Sequence, residues 1–392
     1  MSERELDRAL IAAAESGDAR RVRKLLREGA DVDAHDNGKR PLLVASGEGH
    51  ENVVKLLLAR GGDASAANVY GAQPLHRAAE YGRMGIVKLL LSRGAKVDAA
   101  NNEGNQPLHY AAACGHRDVA EFLAGEGAKV GAANSSGERP LHFAAENGHV
   151  DVAELLMARG AKVDARTNEG LQPLHHAAKN GHMDVVDLLI ARGAKVAAAT
   201  RDGRQPLHVA VVDGHREAAA LLIANGADVD AANQSGTRPL HFAALNQRAS
   251  SAELLIACGA RMDAPDENGN QPLHYAAWVG CCDVVKLLLD AGAPIDAANR
   301  SDTRPLHDAA QEGRGEAVKL LLERGADPTA ASHEGKTPHD LARDENVREL
   351  LENASREWNE PAARKSREEK AMAAHLARQR KLGALRPKGP AL

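Results

Sequence analysis

Aromatic side chains are scarce: three Phe, four Tyr and two Trp stand among 392 residues. Such rings normally bury the most area per side chain, so this supply cannot anchor the two to four separate cores that the length alone would suggest. Long apolar runs are missing as well. None approaches the roughly 18–20 residues needed to cross a bilayer, and the start, Met1-Ser-Glu-Arg-Glu-Leu-Asp, has no basic flank followed by an apolar stretch. A non-exported protein free of the membrane is expected, cytoplasmic with the nucleus as the alternative. Cysteine is confined to Cys114, Cys258 and the adjacent Cys281 and Cys282, on no regular framework, which argues for a reducing compartment and against a disulfide scaffold. Alanine and leucine dominate a hydrophobic fraction of 43%, enough to exclude a polar disordered chain, and 36 glycines stand beside them.

What the sequence has in quantity is a repeat. Proline recurs every 33 residues, at Pro41, Pro74, Pro107, Pro140, Pro173, Pro206, Pro239, Pro272, Pro305 and Pro338, without an insertion. In the third unit, Gln106-Pro-Leu-His-Tyr-Ala-Ala-Ala predicts a short inner helix: Pro107 suits a first turn, and Ala111-Ala112 let a neighbouring helix come close. Gly115 offers a positive φ at its end, and Val119, Phe122 and Leu123 at helical spacing predict an outer helix stopped by Gly127. An extended finger turning at a glycine leads to the next proline. One unit has no core of its own, so the units must stack as a solenoid.

The series Gln-Pro-Leu-His-Tyr-Ala-Ala, Gly-His, Leu-Leu and Gly-Ala-x-Val-Asp at 33 residues resembles the ankyrin repeat, from about Leu6 to Asn353. The resemblance implies an all-α fold class, helix-pair repeats with short β-hairpin fingers in an ankyrin-repeat solenoid. The expected division is an N-terminal capping repeat over 1–34, nine repeats over 35–331, a partial capping repeat over 332–353 and a basic tail over 354–392. Two departures stand out. The family's threonine before the proline is replaced by Arg40, Gln73, Gln106, Arg139, Gln172, Gln205, Arg238, Gln271 and Arg304, and only Thr337 keeps it. Without such a cap a helix loses about 0.5–2 kcal/mol unless another group serves the exposed N–H groups. In repeat seven, Gln247 stands where a glycine takes positive φ, which predicts a local weak point.

Chemistry finds few candidates. His76, His109, His142, His175, His208, His241, His274 and His307 form a row, one per repeat. Zinc ligands must lie about 2.0–2.3 Å from one ion, whereas stacked helices stand roughly 10 Å apart, so the row cannot share a metal. The resemblance implies instead that these histidines hydrogen-bond backbone between units, and the Gly-His set (His50, His116, His149, His182, His215) reads the same way. His175-His176 reads as coincidence, Cys281-Cys282 has no matching half-site, and no phosphate loop or nucleophile elbow occurs. No catalytic residue, cofactor or metal is expected, and the protein is not read as an enzyme.

Positions that vary between repeats are free to serve a partner, and the resembling family binds proteins there. They are the finger-tip residues around the turn glycine and the two residues after Ala-Ala. The candidate protein-binding set is Val69, Tyr70, Glu80, Tyr81, Asn102, Glu103, Glu146, Asn147, Lys179, Asn180, Arg204, Asp213, Asn246, Asn270, Trp278, Gln311 and Glu312. Tyrosine and tryptophan are enriched in binding hot spots, which singles out Tyr70, Tyr81 and Trp278.

Charge divides unevenly. Residues 354–392 hold ten Lys/Arg and four Asp/Glu, net +6, against −4 for the whole chain and therefore −10 for the repeats. The expected function is a protein–protein interaction scaffold, a monomer whose partners are one or more unidentified proteins. Two alternatives are an adaptor that delivers a bound protein to an enzyme through the basic tail, and nucleic-acid association through residues 356–388, against which the acidic body argues.

Overall fold

The computed structural model describes residues 2–360, and the roles expected of the basic tail from Pro361 onward lie outside them. Among the described residues there are 22 helices, and the only β-pairing is an isolated bridge between Asp36 and Lys39. The chain divides into two units, one ending at Arg201 and the other beginning at Asp202. The first holds a helix pair, Glu3–Glu15 and Ala19–Arg27, and the helix pairs of repeats one to five. The second holds those of repeats six to nine, then a short helix Pro338–Leu341 and a longer one, Glu345–Trp358. That last helix is capped by Asp344, which accepts the Val347 N–H at 3.0 Å, and it runs beyond Asn353 into the first residues of the expected tail.

Repeat three shows how the sequence makes each pair. Its inner helix, Pro107–Ala113, starts on proline, and its outer helix, Arg117–Gly125, turns Val119, Ala120 and Leu123 inward. Leu108, Ala111, Ala112 and Leu123 are fully buried, and each such leucine contributes about 1.5–3 kcal/mol relative to exposure. The inner helix packs on those of repeats two and four as well as on its own outer helix, so Ala-Ala is where larger side chains would force neighbours apart.

The histidine after Pro-Leu serves a different donor from the one the Thr337 hydroxyl accepts, which is the N–H of Asp340 three residues on. In all eight repeats with the histidine, its Nδ1 accepts the backbone N–H of the Arg or Gln before the proline, at 3.0–3.2 Å. An Nδ1 that accepts leaves the proton on Nε2, which is then a donor. Nε2 of His142 donates to the Ala165 carbonyl at 3.0 Å, and that of His76 to Asn105 at 3.1 Å, tying the helix start to the connection that enters the next finger. The histidine is thus a latch that joins neighbouring units. The N–H that a threonine would cap, that of the histidine itself, turns instead to the carbonyl of the Arg or Gln before the proline, at 2.9 Å in His109.

At the loop between helices, glycine answers two demands at once. Gly115 has φ 73°, and a Cβ there would lie 2.6 Å from Nδ1 of His149, the loop histidine of the next repeat. His149 in turn donates from Nε2 to the Ala113 carbonyl at 3.0 Å. Gln247 does take the positive φ expected of its place, 58°. Its counterpart of His149, 34 residues on, is Cys281, a smaller side chain that leaves room for the extra Cβ. Where the loop histidine is replaced by Arg83, Arg248 or Arg314, the guanidinium Nε donates to the same carbonyl position, Gly47, Val212 and Trp278, at 2.9–3.1 Å.

The fingers reverse through side-chain-supported turns. Asn101 Oδ1 accepts the N–H groups of Glu103 and Asn105 at 3.0 and 2.8 Å, while the Asn101 N–H donates to the Asn105 carbonyl at 3.0 Å. Successive fingers are joined by bonds such as Asn102 N–H to the Tyr70 carbonyl, 3.1 Å. Asp302 holds φ 55° at a turn where the other fingers place glycine, from Gly38 to Gly335.

Candidate protein-binding surface

The division between stacking and free positions can be followed residue by residue. The latch histidines are buried to 2% exposure or less, whereas Val69 and Tyr70 are about 70% exposed and Tyr81 and Trp278 about 45%. Asn102, Glu103, Asn147, Lys179, Asn180, Asp213 and Gln311 are also exposed, and Glu80, Glu146, Arg204, Asn246, Asn270 and Glu312 are half-buried.

Two groups of these residues meet. In the first unit, Tyr70, Glu80, Asn102 and Glu103 line a pocket of about 380 Å³ between two fingers and the inner helices, floored by His76 and Tyr110. In the second, Asn270, Trp278 and Gln311 line one of about 350 Å³ with Tyr275 and Asp308. Tyr81 stands outside the first pocket. Its ring lies under the Arg77 guanidinium at 5.0 Å, and Arg77 also pairs with Glu80 at 2.6 Å, so the cation holds both side chains.

Several free positions carry structural work. Asn147, Asn180 and Asn246 donate from Nδ2 to the carbonyls of Phe143, His176 and Phe242 at 2.9–3.1 Å, closing the ends of their own inner helices. Asn102 Nδ2 donates to the Val69 carbonyl at 3.0 Å, and Asn270 Oδ1 accepts from Asn299 at 2.8 Å, so both staple neighbouring fingers. Arg204 pairs with Asp202 at 2.6 Å.

The residue after each latch histidine packs on the latch of the preceding repeat. Tyr110, Phe143, Phe242 and Tyr275 set their rings edge-on to that histidine at 5.7 Å. Repeat nine has Asp308 there, with Oδ2 enclosed and without a hydrogen-bond partner. Burial, reinforced by Glu312, holds its carboxyl well above the usual carboxylate range. Repeat five has His176, which comes close to Glu138 and Glu146. No sequence spacing announces either group, because the partners come from different repeats and different places within them. Burial also holds the latch histidines neutral: His142, His208 and His241 are pushed down to about 4.

Among the described residues no helix is long and apolar enough to cross a membrane. A search of curated proteins finds no match. A family model described as ankyrin repeats (3 copies) matches in overlapping stretches, residues 10–101, 64–134, 95–167, 141–233, 221–299 and 240–332. Ankyrin repeats are in general protein-interaction modules. With buried histidine latches, Ala-Ala contacts and 33-residue helix pairs matched from residue 10 to residue 332, the chain belongs to the ankyrin-repeat family.

Proposed function

We propose that this protein is a non-catalytic interaction scaffold, a cytoplasmic monomer that binds a protein partner through its finger tips and the exposed ends of its inner helices. The observation that carries this reading is the exposure of the Tyr70, Tyr81 and Trp278 side chains in a chain with so few aromatic residues. Tyr70 and Trp278 each border a pocket lined by asparagine and carboxylate groups. An anchoring side chain beside polar groups suits an extended partner segment whose backbone needs hydrogen bonds. The basic tail, net +6, is the natural second contact for an adaptor role. Affinity capture from native lysate tests the reading: the full chain should recover a protein that a variant with Tyr70, Tyr81 and Trp278 all changed to alanine does not. Recovery of the same proteins by both chains would refute it.

A further inference from the structure

His176 does something none of its counterparts does. The ring packs edge-on against His142 at 5.4 Å, a task that phenylalanine performs in repeats four and seven. Stacking needs only a ring. The imidazole adds two polar atoms, and the residue is 7% exposed, so both are costly to bury unpaired. Nε2 has no hydrogen-bond partner, and Nδ1 stands 3.9 Å from Glu146 Oε2, beyond hydrogen-bond reach. The tyrosines at this place, by contrast, are satisfied: Tyr110 Oη accepts from Asn101 at 2.9 Å, and Tyr275 Oη donates to Asp266 at 2.6 Å.

Two carboxylates face this unpaired ring. Glu146 ends the inner helix Pro140–Glu146, and Glu138 lies in the finger that precedes the same helix. One ring nitrogen of His176 and one oxygen from each carboxylate all lie within 4.8 Å of one another. Lys179 is the cationic side chain whose charge acts on both Glu146 and His176, and it lies on the exposed end of its helix rather than in the cluster.

We propose that Glu138, Glu146 and His176 form a binding site for a divalent transition-metal ion of the zinc class, held by two carboxylate oxygens and one imidazole nitrogen. One nitrogen and two oxygens are a donor set such ions accept, at about 2.0–2.2 Å, with a fourth position left to water or a partner's side chain. The buried ring is the fixed member. The glutamates, on a finger and at a helix end, have the torsional freedom to close on an ion. The ion would tie the finger and inner helix of repeat four to the inner helix of repeat five.

The test uses the full-length protein stripped with chelator and then titrated with zinc by calorimetry, with cobalt(II) absorption reporting the coordination. The expected result is one equivalent bound per chain and a raised melting midpoint. His176→Phe, which repeats four and seven show to be compatible with the fold, and Glu146→Gln should each weaken binding by at least about tenfold. Lys179→Gln should strengthen it by removing the competing cation. Absence of zinc binding, or binding of unchanged affinity in both His176→Phe and Glu146→Gln, would overturn the proposal. No partner is needed in these measurements, so they stand or fall apart from the interaction role.

Discussion

Acidification should loosen the repeats through their latch histidines, and the size of the effect follows from the geometry. Each latch imidazole accepts a backbone N–H on Nδ1 and donates from Nε2, as at Arg139 and Ala165 around His142. A second proton must go to Nδ1, where it faces that N–H instead of a lone pair. Burial, joined at His142 by the neighbouring His176, pushes His142, His208 and His241 down to about 4, and burial moves His76, His109, His274 and His307 the same way. A depressed folded value means the unfolded chain binds protons first, below its own value of about 6.5. The stabilisation is therefore complete above pH 6.5 and is lost as pH falls toward 4. A shift from about 6.5 to about 4 is worth roughly 3 kcal/mol for each of those three histidines. Urea unfolding followed by helical signal at pH 8, 7, 6, 5 and 4.5 should show a plateau to about pH 7 and then a steep fall. His142→Gln should flatten the fall by one histidine's share. A midpoint constant from pH 7 to 4.5 would refute the reasoning.

Repeat seven offers a second check. Gln247→Gly should stabilise by about 1 kcal/mol by removing a side chain from a left-handed backbone position. Cys281→His alone should destabilise, because the ring would meet the Gln247 Cβ, and it should be tolerated in the Gln247→Gly background, a coupling that a double-mutant cycle reads directly. Hydrogen exchange in repeat seven should exceed that in repeats four and five, and uniform protection would contradict this. Arg83→Ala should cost about 1 kcal/mol through the lost bond to Gly47, whereas Arg83→His should cost less, since His116 makes the equivalent bond to Glu80 at 2.9 Å.

Most of the fold can be read from the sequence because each repeat restates the same local instructions. Pro107 starts a helix and Leu108 marks its buried face, a pair restated in nine repeats in one register, with Ala111-Ala112 and Gly115 recurring in most of them. The latch is also latent there, since a histidine three residues beyond each Arg or Gln is the right distance for reaching back, but only geometry shows Nδ1 at 3.0 Å from the N–H. The compensation between Gln247 and Cys281 becomes legible once residues 34 apart are known to touch. Legibility fails where a site draws on unlike places in adjacent repeats. Glu138, Glu146 and His176 share no period, and neither do Trp278 and Asp308, so the repeat that reveals the fold conceals both groups. Treating every variable position as free was too generous for Asn102, Asn147, Asn180 and Asn246, whose side chains brace fingers or helix ends.

The central claim is that buried histidines hold the repeats together while exposed aromatic residues hold a partner. Four single variants, Tyr81→Ala, Trp278→Ala, His142→Ala and His208→Ala, measured for both thermal midpoint and capture of the recovered partner, test it most directly. A true hot-spot truncation costs about 2 kcal/mol or more, some thirtyfold in affinity, so the aromatic variants should lose the partner and keep their midpoint. Each histidine variant leaves a buried N–H and a carbonyl unpaired, about 2–4 kcal/mol together, and should melt several degrees lower. Aromatic variants that bind normally beside histidine variants that melt normally would contradict the account.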